Sequence, residues 1–271
     1  MQFVDKAFAR RLEAAEDVAQ LRYAGLYRQL HPEIGAAAEE ICGGHMVFAG
    51  LGSPIGRAIG LSLDGPLSLA DLGRLESFYQ SHQAPVQIDI TPLHDPVLWE
   101  SLKARGYRMT ELNNVLFRPM SPYDAISASQ PTVHARPAHP EEAADLGVIL
   151  ERSFFPDGGA PEGMLEILIP LFQMEGSQPF VVEHDDRLVA CSAAMAIPEH
   201  DVCALFGAGT LPEFRSRGYQ TALLHARLKI AAESGCSWAV AVTRAGTASQ
   251  RNCERLGFRL AYSKATLVKE L

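Results

Sequence analysis

Apolar and polar residues alternate along the second half of the chain in a pattern that mixes helix and strand periods. Between residues 219 and 234 the apolar residues recur on one side of a helix, while His225, Lys229 and Glu233 form a polar stripe four residues apart. The pattern predicts helices over residues 140–152, 161–173, 219–234 and 249–256. It predicts strands over residues 133–136, 179–183, 187–197, 202–210, 238–242 and 260–268. The predicted class is α/β (α+β) with a mostly antiparallel sheet.

The two halves of the sequence end in the same succession of strand, polar loop, short helix, turn and strand. Residues 104–107 align with residues 255–258, and residues 115–117 align with residues 266–268. Gly106 and Gly257 each follow a short helix with basic residues near its end, where a C-terminal glycine cap belongs. We therefore expect two tandem copies of one unit, each a mostly antiparallel twisted sheet flanked by helices.

A stretch rich in Ser and Pro, without helical or strand period, separates these halves. It predicts a first domain over residues 1–120, a linker over residues 121–132 and a second domain over residues 133–271. Both domains then have an ordinary size.

Composition and charge narrow the possible functions. The net charge of −8 argues against a nucleic-acid-binding protein. The five cysteines are odd in number and none has CxxC spacing, so neither a disulfide framework nor a metal site is expected. No signal-peptide core and no apolar run long enough to span a bilayer is present in the sequence. We expect a cytoplasmic protein with no membrane and no nucleic-acid partner.

The junction between the strand ending near Leu211 and the helix from Tyr219 carries the most informative chemistry. The loop holds Arg215, Arg217 and Gly218 and opens directly into the helix. The first N–H groups of a helix have no internal partner, and the helix dipole adds positive charge there. Gly218 lets a ligand approach the backbone closely. The junction is therefore expected to bind an anion such as a diphosphate.

This loop resembles the acetyl-CoA-binding motif of the GCN5-related N-acetyltransferase superfamily (GNAT), Arg/Gln-x-x-Gly-x-Gly/Ala after Pro-Glu-Tyr/Phe-Arg. Residues 212–215 and Gly218 match the motif, whereas Gln220 stands where Gly or Ala is usual. The superfamily's later motif, a helix ending in Leu-Gly-Phe, is matched by residues 249–258. The resemblance covers about residues 133–271 and implies acetyl-CoA as cosubstrate and no metal.

The resemblance also implies how the cofactor is held. The strand over residues 205–210 would diverge from the strand over residues 238–242, so that its free amides hold the pantetheine arm and polarise the thioester carbonyl. The cofactor-binding residues expected on this basis are Ala208, Thr210, Leu211, Arg215, Ser216, Arg217, Gly218, Tyr219, Gln220, Thr221, Ser249 and Asn252.

Catalytic groups are not fixed by the sequence. The tyrosine that often protonates the leaving thiolate in the superfamily is replaced by Cys253, a poor substitute. Glu183, His200 and Tyr262 are weak candidates for a general base, and a chain of water molecules is the alternative.

The first half lacks the anion site. Its matching junction contains Pro66, which has no amide hydrogen, and Ser68 with Asp71, which predict a capping box. We expect this copy to be degenerate and not to bind coenzyme A. The glycines at positions 50, 52 and 56 have GxGxxxG spacing and favour a turn over a dinucleotide-binding fingerprint.

The function expected is N-acetyl transfer from acetyl-CoA to an amine of an unidentified small-molecule or peptide acceptor. The alternatives are a catalytically inactive coenzyme A-binding sensor or scaffold, and a nucleotide-dependent oxidoreductase that uses the glycines around Gly50. Either a monomer or a homodimer is compatible with the sequence.

Overall fold

The structure is a computed structural model that describes residues 2–63, 65–94, 96–121 and 133–271. Its helices are α1 (Lys6–Leu30), α2 (Leu69–Ser81), α3 (Val97–Ala104), α4 (Ala143–Phe154), α5 (Met164–Leu168), α6 (Pro170–Gln173), α7 (Tyr219–Glu233) and α8 (Ala248–Arg255). Its strands are β1 (Ala37–Ile41), β2 (Gly44–Phe48), β3 (Val86–Ile90), β4 (Arg108–Pro119), β5 (Arg136–Pro137), β6 (Gln178–His184), β7 (Arg187–Ile197), β8 (Val202–Thr210), β9 (Trp238–Arg244) and β10 (Arg259–Lys269).

The chain forms two compact units that do not follow the order of the sequence. Unit 1 comprises Met1–Leu116, Val242–Gln250 and Arg259–Leu271, and unit 2 comprises Phe117–Ala241 and Arg251–Phe258. The C-terminal strand β10 thus belongs with the first half of the chain. The domain boundaries predicted at residues 120 and 133 stay a prediction, and the predicted linker lies, apart from Ser121, outside the described residues.

Unit 1 contains a hairpin and a further set of strands. Strands β1 and β2 pair antiparallel, and His45 at the start of β2 forms an antiparallel bridge with Ile59. Ala58 forms a parallel bridge with Ile88 of β3. Strand β10 pairs antiparallel with β3 and lies between β3 and β4. Helix α2 and the buried faces of β2 and β3 enclose an apolar core.

Unit 2 contains the sheet that positions the loop between β8 and α7. Strands β5, β6, β7 and β8 pair antiparallel in that order, and β8 pairs parallel with β9. Helices α4 to α6 pack over β7 and β8, and helix α7 packs on β6 and β7 through a second apolar cluster. From β6 to β9, unit 2 therefore has two antiparallel pairings followed by a parallel one, and unit 1 has an antiparallel pairing, an antiparallel bridge and a parallel bridge.

The last strand of each half of the sequence lies next to a strand from the other half: β10 next to β3, and β4 next to β9. In unit 1, Thr266 of β10 is registered opposite Asp89 of β3. In unit 2, the Phe117 ring at the end of β4 lies 5.7 Å from the Trp238 ring, and the Met120 N–H donates to Ser237 O at 2.8 Å. The aligned caps Gly106 and Gly257 have φ values of 82° and 85°, the left-handed conformation that a glycine cap requires.

The predicted secondary structure agrees closely for the central strands of unit 2. Strands β7 and β8 have the predicted bounds, and the predicted turn between β6 and β7 places Asp185 and Asp186 at positive φ. The single helix predicted over residues 161–173 is wrong. The segment forms two short helices, because Gly163 adopts a left-handed conformation before α5 and Pro170 cannot continue a hydrogen-bonded helix. The predicted strand over residues 133–136 is only Arg136–Pro137.

Among the described residues, no helix has both the length and the apolar character needed to cross a membrane.

Candidate functional site

The loop between β8 and α7 has an unusual backbone. After Thr210, the Leu211 N–H donates to Val189 O at 3.0 Å, and Pro212–Phe214 forms one turn of 3-10 helix. Ser216 and Gly218 then both adopt positive φ, at 63° and 84°. These two left-handed residues direct the chain abruptly into the first turn of α7.

Helix α7 begins without a cap. Gly218 occupies the N-cap position and has no side chain, and within the described chain no acceptor is paired with the N–H groups of residues 218–221. The first carbonyl to be used is Gly218 O, which accepts from Ala222 N at 3.1 Å. The helix start therefore presents several unpaired N–H groups together with the positive end of the helix dipole.

The corresponding helix of unit 1 begins differently. At the start of α2, Ser68 Oγ accepts from Asp71 N at 3.1 Å, and Asp71 Oδ2 accepts from Ser68 N at 2.9 Å. The predicted capping box is confirmed. These N–H groups are used within the protein, and a carboxylate stands where α7 has none.

Gln220 does not cover the unpaired amides. Its side-chain nitrogen donates to Gly209 O at 2.9 Å and to Thr210 Oγ1 at 2.8 Å, so the side chain points back to the end of β8. The residue that departs from the Gly/Ala pattern thus fastens the helix start to the preceding strand.

Arg215 is directed toward a neighbouring helix. Its guanidinium donates to Ser153 O at the C-terminal end of α4, at 2.7 Å. A cation at that position also complements the negative end of the α4 dipole. The side chain is exposed, and its contact holds the loop against α4 as well as adding charge near the helix start.

Arg217 is held by a group of aromatic side chains. Its guanidinium carbon lies 5.2 Å from the Phe214 ring centre, and that of Arg187 lies 5.3 Å from the same ring. His184 joins this group through Nε2, 3.3 Å from Arg217 Nη1, and Nδ1, 3.0 Å from the Tyr219 hydroxyl. The turn between β6 and β7 is thereby linked to the loop.

Strand β8 separates from β9 halfway along its length. Their parallel pairing extends from Val202 and Trp238 to Leu205 and Ala241. Beyond Leu205, β8 contains a bulge. Cys191 and Ala193 of β7 are two residues apart, whereas their partners on β8, Gly209 and Phe206, are three residues apart. Gly207 has φ 59°, and a Cβ there would lie 3.2 Å from the Phe172 ring. Within unit 2, the pairing with β9 thus ends at Leu205, where the sequence predicts that β8 diverges.

The remaining cofactor residues expected from the sequence lie in different surroundings. Ala208 lies in the bulged half of β8, Thr210 and Leu211 are buried at its end, and Thr221 is exposed in the first turn of α7. Ser249 is exposed in the part of α8 that belongs to unit 1, whereas the half-buried Asn252 belongs to unit 2.

Two candidate catalytic groups of unit 2 lie away from the bulge of β8 or are already paired with another side chain. Glu183 forms an ion pair with Arg136, which also binds Glu142 at 2.7 Å. His200 lies in the 3-10 turn before β8, and four residues of strand, about 13 Å, separate Val202 from Phe206 at the bulge. Neither is brought to the diverging strands.

Cys253 and Tyr262 are both buried. Burial raises the pKa of the Cys253 thiol to about 11, so the thiol is neutral near pH 7. Tyr262 lies in unit 1, where its hydroxyl donates to Glu13 Oε1 at 2.7 Å and burial raises its pKa well above the ordinary value. Both groups are therefore protonated near pH 7.

A groove of about 270 Å³ is lined by residues of α4, α6 and the segments that flank them. Phe172, whose ring covers Gly207, is one wall, and the polar lining consists of His139, Gln173 and Ser177. The other lining residues are apolar or proline.

Two buried charged features escaped sequence analysis. Arg227 of α7 is charged and yet only 3% exposed, because it lies on the side of the helix that faces the sheet. In unit 1, Lys264 is 1% exposed and bonds to Glu13, Glu16 and Asp89. The alternation of Tyr262, Lys264 and Thr266 along β10 was the available signal, because period 2 places all three on one face.

Within the described ranges, no group of three or more His, Cys, Asp or Glu residues is arranged to hold a metal ion.

The fold and the helix start together define an α/β protein with unpaired backbone N–H groups at the junction between β8 and α7. Residues 146–258, which include the whole loop, match the family model described as the Acetyltransferase (GNAT) family. No curated protein sequence shows significant similarity to the chain.

Solved structures share this fold at low sequence identity. A GCN5-related N-acetyltransferase from Kribbella flavida is 17% identical with a TM-score of 0.63, over 91% of this chain and 95% of that one. A tandem GNAT protein from the clavulanic acid biosynthesis pathway is 13% identical with a TM-score of 0.57, over 87% and 78% of the two chains. A GCN5-related N-acetyltransferase from Sphaerobacter thermophilus is 17% identical with a TM-score of 0.54, over 74% and 67%.

Proposed function

We propose that this protein binds acetyl-CoA at the start of α7 and transfers its acetyl group to an amine. The observation that carries the proposal is the uncapped helix start, where the N–H groups of residues 218–221 have no acceptor within the described chain. A diphosphate is an anion of the size and charge that such a helix start binds. The match of residues 146–258 to the acetyltransferase family model supports the assignment.

The divergence of β8 from β9 gives the pantetheine arm a place. Because pairing with β9 ends at Leu205, the main-chain groups beyond it are available for an extended ligand. An N–H group of this segment, in the region of Phe206 to Ala208, would donate to the thioester carbonyl. Such a donor stabilises the negative charge that develops on the carbonyl oxygen when an amine attacks.

The reaction then depends mainly on positioning. The amine nitrogen attacks the carbonyl carbon, the carbon–sulfur bond breaks, and its electron pair stays on sulfur as the coenzyme A thiolate. The attacking amine releases a proton to water, because Glu183 and His200 are held elsewhere. Holding two reactants in one geometry accounts for a large share of such a rate enhancement.

We also propose that the chain contains two copies of the acetyltransferase fold and that the first does not bind coenzyme A. The shared succession of strand pairings supports the duplication. The capping box of Ser68 and Asp71 supports the loss of binding, because it uses the amides and places a carboxylate where a phosphate would lie. A solved tandem GNAT protein with the same overall fold supports the arrangement.

The direct test is release of free coenzyme A thiol from acetyl-CoA with a panel of amines, followed by mass analysis of the acceptors. Acetylated product from at least one amine supports the proposal. A Gly218→Asp variant is expected to lose the activity, while Asp71→Ala in the capped helix of unit 1 serves as the matched control and keeps it.

One observation favours a second function, a coenzyme A-binding protein without turnover. The position where the superfamily often has a proton-donating tyrosine holds Cys253, whose neutral thiol is buried. Saturable binding of acetyl-CoA without any acetylated amine, across the panel, would establish that function instead.

A further inference from the structure

A cation directly before the start of α7 has no acidic partner. Arg217 precedes Gly218, and in the part of the chain that the structure describes no carboxylate lies within ion-pair distance of its guanidinium. Its contacts are the ring of Phe214, whose centre lies 5.2 Å from the guanidinium carbon, and Nε2 of His184, 3.3 Å from Nη1. Arginine has only donors, so Nε2 accepts this bond and leaves the charge of Arg217 uncompensated.

A second guanidinium lies against the same ring. The guanidinium carbon of Arg187, the first residue of β7, lies 5.3 Å from the Phe214 ring centre. Its Nη2 donates to Glu213 Oε1 at 3.2 Å, and Arg152 binds the same oxygen at 3.3 Å. One carboxylate is thus shared between two arginines, and it is not available to Arg217.

The other carboxylate near this group is mostly in solvent. Asp185 Oδ2 lies 3.5 Å from His184 Nε2, and the Asp185 side chain is 92% exposed. Water screens such a charge effectively. Positive charge therefore exceeds negative charge around the Phe214 ring.

The two guanidiniums on Phe214 are exposed and yet restricted in their motion. Arg187 and Arg217 both lie at the surface, where a ligand can reach them. The half-buried Phe214 ring packs against the apolar clusters of unit 2, and the Tyr219 hydroxyl lies 3.0 Å from His184 Nδ1. Long side chains that are already held in place lose less conformational entropy when they bind a ligand.

This surface adjoins the amides that are proposed to hold the diphosphate, because Arg217 is bonded to Gly218 in the chain. Coenzyme A carries a further phosphate, a monoester on the 3′-oxygen of the ribose to which the diphosphate is attached. A phosphate monoester bears close to two negative charges near pH 7. The fork of N–H groups on a guanidinium matches the oxygens of such a group.

We infer that Arg217 and Arg187, held against Phe214, bind the ribose 3′-phosphate and make the protein selective for coenzyme A over dephospho-coenzyme A. This inference rests on the proposed function. The guanidinium N–H groups donate to the phosphate oxygens, and the phosphate supplies the negative charge that Arg217 lacks in the protein alone. Arg187 lies on β7, outside the loop between β8 and α7, so a second segment of unit 2 takes part in selecting the cofactor.

The test is calorimetric titration of the full chain with acetyl-CoA and with acetyl-dephospho-CoA, which lacks only the 3′-phosphate. Arg217→Met and Arg187→Met each remove one charge, and Arg217→Lys keeps the charge but not the fork. The control is Lys229→Met, which removes an exposed cation of α7 that pairs with Glu233 near the other end of the helix.

The wild-type protein and Lys229→Met should bind acetyl-CoA at least about tenfold more tightly than acetyl-dephospho-CoA. Arg217→Met should bind acetyl-CoA about as weakly as it binds acetyl-dephospho-CoA, with an unchanged Kd for the latter. Arg187→Met and Arg217→Lys should lower the ratio of the two Kd values in part. The ratio in the wild-type protein should also fall as the salt concentration rises, because exposed charges are screened.

Two results would overturn the inference. One is equal Kd values for the two ligands in the wild-type protein. The other is a loss of affinity in Arg217→Met that is the same for both ligands, which would place Arg217 at the diphosphate. Either result leaves the proposed function standing, whereas failure of the wild-type protein to bind either ligand would remove both.

Discussion

The side-chain nitrogen of Gln220 lies 2.9 Å from the carbonyl oxygen of Gly209, so the first turn of α7 is tied directly to the last residues of β8. A second bond from the same nitrogen reaches Thr210 Oγ1 at 2.8 Å. A glutamine at this position therefore leaves the backbone amides of the helix start uncovered. It also fixes the distance between the helix start and the diverging half of β8.

Replacing Gln220 with alanine should separate anchoring from ligand binding. Gln220→Ala removes both bonds to β8 and is expected to lower the free energy of unfolding by about 1–2 kcal/mol. Acetyl-CoA should still stabilise the variant, because the unpaired amides remain. Denaturant unfolding and thermal shift with the cofactor check the two parts, and a variant that keeps its stability but no longer responds to acetyl-CoA would show that the side chain itself binds the cofactor.

The buried charges of unit 1 predict a loss of stability when their cation is removed. Lys264 is buried against Glu13 and Asp89, each 3.4 Å away, with Glu16 as a third partner. Lys264→Met leaves these carboxylates without their cation and should destabilise the protein by about 3–5 kcal/mol.

Chemical denaturation measures the effect of Lys264→Met, with Lys269→Met as the control. Lys269 pairs with Glu76 at 3.1 Å on a more exposed part of the same strand, so its loss should cost no more than about 1 kcal/mol. Equal effects of the two changes would contradict the role assigned to the buried cluster.

The pair formed by Arg136 and Glu142 predicts a pH dependence of stability. Hydrogen bonds from Arg136 lower the pKa of Glu142 from its ordinary value of 4.5 to about 2. Because the folded state binds the proton less tightly than the unfolded state, this contribution is present above pH 4.5 and is lost as the pH falls toward 2. Glu142→Gln should therefore show a smaller loss of stability across this window than the wild-type protein, as measured by thermal unfolding at several pH values. An identical slope in both proteins would show that the pair does not contribute.

The sequence was sufficient to predict those features that depend on local pattern. Strands β7 and β8 carry a continuous apolar pattern bounded by clear turn residues, and their bounds agree with the structure. The capping box of Ser68 and Asp71 is a local interaction between residues three apart, and it was predicted correctly.

Features that depend on distant parts of the chain could not be predicted. The assignment of β10 to unit 1 follows from its pairing with β3, which lies more than 160 residues earlier in the sequence. The direction of the Arg215 side chain depends on a carbonyl group of α4, and the burial of Arg227 depends on the sheet against which α7 packs. No local spacing indicates these contacts.

The loop from Arg215 to Gln220 could be predicted from the sequence only in part. The expectation that it binds an anion follows from the order of residues, because a strand end, a glycine and a helix start are consecutive. The orientation of Gln220 and Arg217 depends on Gly209, Phe214 and His184, and only the structure gives it.

The start of α7 is proposed to hold the pyrophosphate of acetyl-CoA, with one acetyl-CoA bound per chain. Calorimetric titration with acetyl-CoA tests it most directly, on the wild-type protein, Gly218→Asp and Asp71→Ala. Gly218 has φ 84°, a conformation that aspartate tolerates better than most residues, and circular dichroism confirms that the variant is folded. We expect one bound acetyl-CoA per chain for the wild-type protein and Asp71→Ala, and no saturable binding for Gly218→Asp. An unchanged Kd in Gly218→Asp, or two equivalent sites in the wild-type protein, would contradict it.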